Sequence, residues 1–457
     1  MTKKKEKIKP ETFPRRRERL FDRMADGAAL VPSPFASTRA DGLTYPFRPD
    51  MDFYYLTGLD EPGSAALFLK NGDRRQFMLF VSPRDPEQER WTGEMIGLDG
   101  ARETYGADEA YPMEELEEKL TDVLAGREQV YYPFGRYQAF DDAVTGAIER
   151  LREHARNRKR PPGRIKALSD LLHPMRRIKS PEEIELHRRA IELTWKGLMR
   201  AIKMCAPGRF EYELEAVLDG EFRRRGGDGP AFETIVAGGK NATVLHYQEN
   251  EDRLNTGEMV LIDAGASYQY HCADITRTIP VDGTFTRAQQ QFYEVVLGCQ
   301  QEVIQFIEPG VSYDELQRKT VRLLTRGMVD LGLLDGPVDE IIDAPSGNGD
   351  DETDTGGVAP YKRFFMHKIG HWLGLQAHDV GAYRAYGTEE PGWETLQPGM
   401  LLTVEPGLYV PPEAEDVPER FAGMGVRIED DVLVTGSGCE VLSKRIPKEV
   451  EELEERL

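Results

Sequence analysis

The sequence predicts an α+β chain of two domains, the second made of two similar halves. Three observations carry this reading. The 457 residues are too many for one compact core, so length points to two or three domains. A basic run with a Pro-Pro-Gly centre, NRKRPPGRIKALSDLLHP, reads as an exposed connection ending near residue 175. The frame Gly, five residues, Asp or Glu, one residue, Gly then occurs twice, in GEMVLIDAG (257–265) and GMLLTVEPG (399–407). In each copy an apolar strand delivers a carboxylate just before a turn, as two facing halves would.

The elements follow in order. MTKKKEKIKPETFPRRRERL reads as a solvated basic arm, because no apolar stretch follows to make it a secretion signal. AALFLKNG and RRQFMLFVSP read as a hairpin turned at Asn71 and Gly72. EELEEKLTDVLAG and DDAVTGAIERLREHARNRKR have helical spacing. The first domain spans 1–175 and the second 176–457. Ser180, Pro181 and Glu183 open the second with an N-cap, a first-turn proline and a capping box. FEYELEAVLDGEFRRRGG is a helix stopped at Gly226-Gly227, and GTFTRAQQQFYEVVLGCQQEVIQFIEPG another. SGNGDDETDTGG (346–357) is too polar and Gly-rich to bury a face, so it reads as a loop. KEVEELEERL is an acidic helix or frayed tail.

Composition narrows the partners. Apolar residues at 39% and charged residues at 30% are an ordinary water-soluble balance, and no apolar run nears the roughly 20 residues of a membrane span. A net charge of −21 argues against nucleic acid, which demands Lys and Arg patches. The four scattered cysteines, without a CxxC pair, fit a reducing cytoplasm.

The acids and histidines carry the chemistry. After Asp263 the chain turns through AGASYQYHC and returns with Asp274, as an antiparallel pair would, setting two carboxylates side by side. Glu405 ends TVEPG. In GVRIEDDVLV, alternation puts Val426, Ile428 and Asp430 on one face and Arg427 with Glu429 on the other. Unpaired buried carboxylates are costly, so cations belong between them. Asp263, Asp274, Glu405, Glu429 and one histidine make a set for two divalent ions; its hard oxygens suit manganese, cobalt or zinc over a thiolate-type site. Ions roughly 3.5–4 Å apart can share a bridging hydroxide.

His367, His371 and His378 crowd into HKIGHWLGLQAHD. Lys368 stands where a zincin helix needs Glu, so HExxH fails. Gly370 and Gly374 favour a looped or extended strip, which makes His371 the natural ligand and leaves its neighbours to the substrate. Blander readings exist for each piece alone: Asp before Gly is usually a turn, and His246 in ATVLHYQEN would be a satisfied strand residue. GGKNA lacks the ending of a phosphate loop, and Trp372 and Leu373 read as packing. The conjunction is what the bland account does not explain.

LIDAGASYQYHCADITRTIPV, FFMHKIGHWLGLQAHDVG, GMLLTVEPGLYV and GVRIEDDVLV resemble the successive motifs of the proline-specific aminopeptidases, aminopeptidase P in particular. The resemblance runs through residues 176–445, and YPFRPDMDFYYLTGLDEPGS and RWTGEMIGLDG are similar to the N-terminal domain of that family. It implies a mixed-sheet creatinase/aminopeptidase-P-type domain followed by a pita-bread catalytic domain with a pseudo-two-fold repeat. It implies that Asp263 chelates one ion, that Asp274 and Glu429 bridge both, and that His371 and Glu405 complete the other shell. His246, His367 and His378 match substrate-facing histidines, Arg427 a supporting arginine and Tyr409 a lining residue. Trp91 is a candidate for the rim.

The implied reaction releases the first residue from peptides with proline second. A metal-bridging hydroxide attacks the carbonyl before proline, and Glu405 shuttles the proton to the proline nitrogen. The implied cofactors are two divalent ions, manganese first, and the implied assembly is a homodimer or homotetramer. The nearest alternative is an Xaa-Pro dipeptidase (prolidase), which uses the same ligands. A creatinase-like enzyme works without metal, and a non-catalytic binding protein on this scaffold would have lost ligands; all five are present. From the metal site alone, a two-metal phosphoesterase is a further reading.

Overall fold

In this computed structural model the described residues are 8–153, 160–344, 359–384 and 392–456. The acidic stretch 346–357, the first seven residues and His154 lie outside them. The chain divides into two compact units, Lys7–Arg176 and Arg177–Leu457.

The N-terminal unit is built on a mixed sheet, six-stranded among the described residues. Gly27–Pro32 pairs antiparallel with Ala65–Asn71, which pairs antiparallel with Arg74–Val81. Glu109–Pro112, Gln129–Tyr131 and Arg164–Lys166 add on in parallel. Leu30, Leu67 and Phe80 bury one face against Leu120, Phe140 and Val144 of the helices Leu116–Leu124 and Gln138–Glu153. The hairpin forms where expected, but its central pair is Gly72-Asp73, one residue later, with Gly72 alone at positive φ.

Two expectations need correction here. The basic arm is helical from Thr12 to Arg23, because its arginines find apolar and carbonyl partners instead of solvent. Arg16 lies 4.1 Å over the Tyr55 ring and donates to the Tyr55 carbonyl; Arg17 lies 4.4 Å over Phe77 and donates to that of Leu56. The expected exposed connection likewise contains the edge strand Arg164–Lys166 and the helix Ser169–Arg177, whose Leu171, Leu172 and Met175 are buried.

The C-terminal unit shows the repeat. One antiparallel sheet runs Ile235–Gly238, Met259–Ala264, Ile275–Pro280; the other runs Leu401–Val404, Asp430–Thr435, Gly438–Val441. Each sheet has its helix pair: Pro181–Met204 with Glu211–Arg224, and Arg287–Gln305 with Tyr313–Leu331. One apolar core joins both halves, with Leu198, Phe222 and Ile262 from the first and Phe292, Leu324 and Val404 from the second. The expected capping box closes: Ser180 Oγ accepts from Glu183 N at 3.3 Å while Glu183 Oε2 accepts from Ser180 N at 3.0 Å. Thr286/Gln289 and Ser312/Glu315 start two further helices in the same way.

GVRIEDDVLV is not one alternating strand. It breaks at Ile428-Glu429 into Gly425–Arg427, paired with Gly407–Tyr409, and Asp430–Thr435 in the neighbouring sheet. Both faces are covered, so every residue from Gly425 to Val434 is buried and a two-sided pattern carries no information.

Candidate metal centre

The repeat decides where the acids stand. Asp263 is the penultimate residue of the 259–264 strand, and Asp274 immediately precedes its antiparallel neighbour. In the second half Glu405 immediately follows the 401–404 strand, and Glu429 immediately precedes the strand paired with it. Four carboxylates therefore come from equivalent ends of two similar sheets.

The histidine strip supplies the fifth donor. It runs beside the 401–404 strand in extended form: His371 O accepts from Thr403 N at 2.9 Å, and Ile369 O accepts from Glu405 N at 2.8 Å. Gly370 permits this approach, since a Cβ there would strike the Thr403 carbonyl oxygen. His371 Nε2 then lies 3.4 Å from Asp274 Oδ2 and 3.6 Å from Glu405 Oε1. Ligand atoms of Asp274, His371 and Glu429 fall within 4.8 Å of one another.

All five donors line one cavity of about 1030 Å³, together with His246, His367, His378 and Arg427. Its electrostatics call for cations. Burial, reinforced by the Asp263 charge, pushes Asp274 up to about 6. Burial also pushes Glu405 up to about 7, and Glu429, facing Asp274 and Glu405, goes well above the usual carboxylate range. On His371 burial disfavours the charged ring, but Asp274 and Glu405 outweigh it and raise it to about 9. Among the described residues Asp263 Oδ1 is buried without a hydrogen-bond partner. Clustered hard oxygens with an unsatisfied buried lone pair fit divalent metal ions.

The remaining expected residues divide. Arg427 Nη2 donates to Asp263 Oδ2 at 2.6 Å and Nη1 donates to the Tyr409 hydroxyl at 3.1 Å. Tyr409 corrects an expectation: it is fully buried behind the cavity wall and does not line it. His367 lines the cavity beside the five donors. Burial, then the Arg427 charge, lowers it to about 4, so the ring is neutral. Its Nδ1 lies 2.7 Å from the Lys368 carbonyl, which only accepts, so the proton sits there and Nε2 accepts from Tyr409 at 2.9 Å. Both ring nitrogens are spent on the protein.

His246 and His378 line the cavity with no protein hydrogen bond among the described residues, and the His378 ring lies 4.2 Å from that of His371. Burial, then the charge of His371, lowers His378 and favours its neutral form. Trp91 stands on the helix Pro86–Thr92 of the N-terminal unit, 89% exposed.

Sequence reasoning missed three supports. Thr276 donates to Glu429 Oε2 at 2.8 Å, and Thr403 accepts from His371 N at 3.1 Å. Arg277, wholly buried, donates to Glu429 O at 2.6 Å and Asp430 Oδ1 at 2.8 Å. Spacing offered a signal for the threonines, since a residue two positions from an acid shares its strand face.

Comparison with known proteins agrees with this site. Residues 185–436 match the model of metallopeptidase family M24, and residues 13–131 match the N-terminal domain of aminopeptidase P. The chain is 40% identical to an Xaa-Pro aminopeptidase of Escherichia coli K12, over 98% of this chain and 97% of that one. The structure of Pseudomonas aeruginosa aminopeptidase PepP superposes with a TM-score of 0.92 at 40% identity, covering 98% of each chain. Zinc-substituted E. coli aminopeptidase P in complex with product gives 0.91, again at 40% identity and 98% coverage of each. With matches to both models and end-to-end similarity to these relatives, the chain belongs to metallopeptidase family M24 and carries the aminopeptidase P type of N-terminal domain.

Proposed function

We propose that this chain is a metal-dependent Xaa-Pro aminopeptidase, removing the first residue from peptides with proline in second position. What supports it most is the convergence of Asp263, Asp274, His371, Glu405 and Glu429 in one cavity, in a chain so similar to enzymes of that name. These five would hold two divalent ions, manganese first and cobalt or zinc as alternatives. Bound there, the ions supply Lewis acidity toward the scissile carbonyl and make water more acidic.

The chain's own groups do the rest. Glu405, at the cavity wall beside His371, takes a proton from the attacking water and passes it to the proline nitrogen. That nitrogen bears no hydrogen in the substrate, so its leaving demands a placed donor. His246 and His378, free at the wall, hold the substrate and its developing oxyanion. Arg427 fixes Asp263, and through Tyr409 it fixes His367. A homodimer or homotetramer is the assembly we favour, and a reducing cytoplasm suits the four free cysteines. Among the described residues no helix is long and apolar enough to cross a membrane.

Glu405→Ala should fold and lose at least about a hundredfold in kcat, the lower range for a positioned acid–base group, and Asp274→Ala should fold and lose turnover with its metal. Retention of full activity by either variant removes the assignment. Cleavage of an Xaa-Pro dipeptide in preference to a tripeptide with proline second would move the reading to a prolidase.

A further inference from the structure

Thr276 is fully buried on the 275–280 strand, two residues beyond Asp274. Among the described residues its hydroxyl has two hydrogen-bond contacts, Glu429 Oε2 at 2.8 Å and Arg427 Nε at 3.3 Å. A guanidinium only donates, so the threonine oxygen is the acceptor there. The one hydroxyl proton then has a single destination, the Glu429 carboxylate. Arg427 also holds Asp263, so an unbroken chain runs Asp263–Arg427–Thr276–Glu429 and ties an acid of one half to an acid of the other.

The backbone makes this joint rigid. Glu429 N donates to Thr276 O at 3.1 Å, while Arg277 Nη1 bridges the Thr276 and Glu429 carbonyls at 2.8 and 2.6 Å. Thr278, on the same strand face, shows the ordinary use of such a hydroxyl. Among the described residues it bonds only the backbone of Arg427, donating to O at 3.0 Å and accepting from N at 3.3 Å. Thr276 is spent on a carboxylate instead. The second half repeats the arrangement more loosely: Thr403, two residues before Glu405, accepts from His371 N at 3.1 Å and donates to Glu405 Oε1 at 3.4 Å.

We propose that Thr276 is a positioning residue of the metal centre, whose hydroxyl sets the orientation of the Glu429 carboxylate and locks it to the Arg427–Asp263 pair. This rests on the reading of Glu429 as a metal ligand. Groups that orient a ligand from behind are worth roughly 10–100-fold in metal affinity or activity. Thr276→Val keeps the shape and removes the hydroxyl; Thr276→Ser keeps the hydroxyl.

The test titrates the metal-free full-length chain with manganese chloride by calorimetry, alongside steady-state kinetics of the loaded enzyme. T276V is expected to bind Mn²⁺ about tenfold or more weakly and to lose a similar factor in kcat, while KM stays within about twofold. T276S is expected to match the wild type in all three. A folded T276V with wild-type Mn²⁺ affinity overturns the proposal, as does a T276S that fails as T276V does. If T276V does not fold, Thr276→Ala takes its place, with weaker binding supporting the proposal and unchanged affinity overturning it. A wild-type chain that binds no Mn²⁺, Co²⁺ or Zn²⁺ overturns the reading of the site itself, and this proposal with it.

Discussion

His367 and Tyr409 show how much depends on where one proton sits. With Arg427 donating to Tyr409 and Tyr409 to His367, the imidazole ends on the Lys368 carbonyl and has no nitrogen left for a ligand. Tyr409→Phe interrupts that chain without changing the packing around it. It should leave unfolding nearly unchanged, within about the 1 kcal/mol of a lost hydrogen bond, and lower kcat/KM severalfold by loosening Arg427. Steady-state kinetics and urea unfolding of one preparation check both halves of that expectation. Three histidines in thirteen residues were legible in the sequence, and so was the extended rather than helical course of the strip, because the flanking glycines disfavour a helix. The division among the others was not legible. It depends on a tyrosine forty-two residues away in the chain, and no local pattern reports that contact.

Among elements, the helix Pro181–Met204 carries a buried titratable group that the chemistry does not use. His187 Nδ1 lies 2.8 Å from the Cys272 carbonyl, and among the described residues its Nε2 is buried without a partner. Burial, then the charges of His271 and Lys179, lowers it to about 3, well below the roughly 6.5 of an unfolded chain. Between those values the unfolded state takes up a proton that the folded state refuses. Stability is therefore fully present above pH 6.5 and falls as the pH drops toward 3, by at most about 1.4 kcal/mol per unit from this group. His187→Asn keeps a donor for Cys272 and removes the titration. Its Tm should fall less steeply than that of the wild type between pH 6.5 and 4, and identical slopes would contradict the assignment. The start of this helix was legible from Ser180, Pro181 and Glu183, because a capping box is local chemistry. The helical part of the N-terminal arm was not legible, because Arg16 and Arg17 owe their burial to Tyr55 and Phe77, distant in sequence. The break at Glu429 was hidden for a related reason: a strand covered on both faces shows no alternation to lose.

For the whole molecule, the governing fact is that two similar halves present acids from equivalent strand ends. The paired frames at 257–265 and 399–407 announced that symmetry in the sequence, since Gly, acid and Gly recur where a strand must stop and a carboxylate must turn inward. The cross-links holding the halves together were silent. Arg277 satisfies Thr276, Glu429, Asp430, Ile446 and Pro447 at once, and only the folded chain brings those five together. Repeated acids facing one cavity make a site whose charge demands cations, and that demand is open to experiment. It is tested most directly by stripping the chain with a chelator and titrating divalent manganese back, while bound metal and cleavage of a peptide with proline second are followed together. The stripped protein should show no turnover, and activity should return as two ions bind per chain. Full-speed cleavage by the thoroughly stripped protein would contradict that demand.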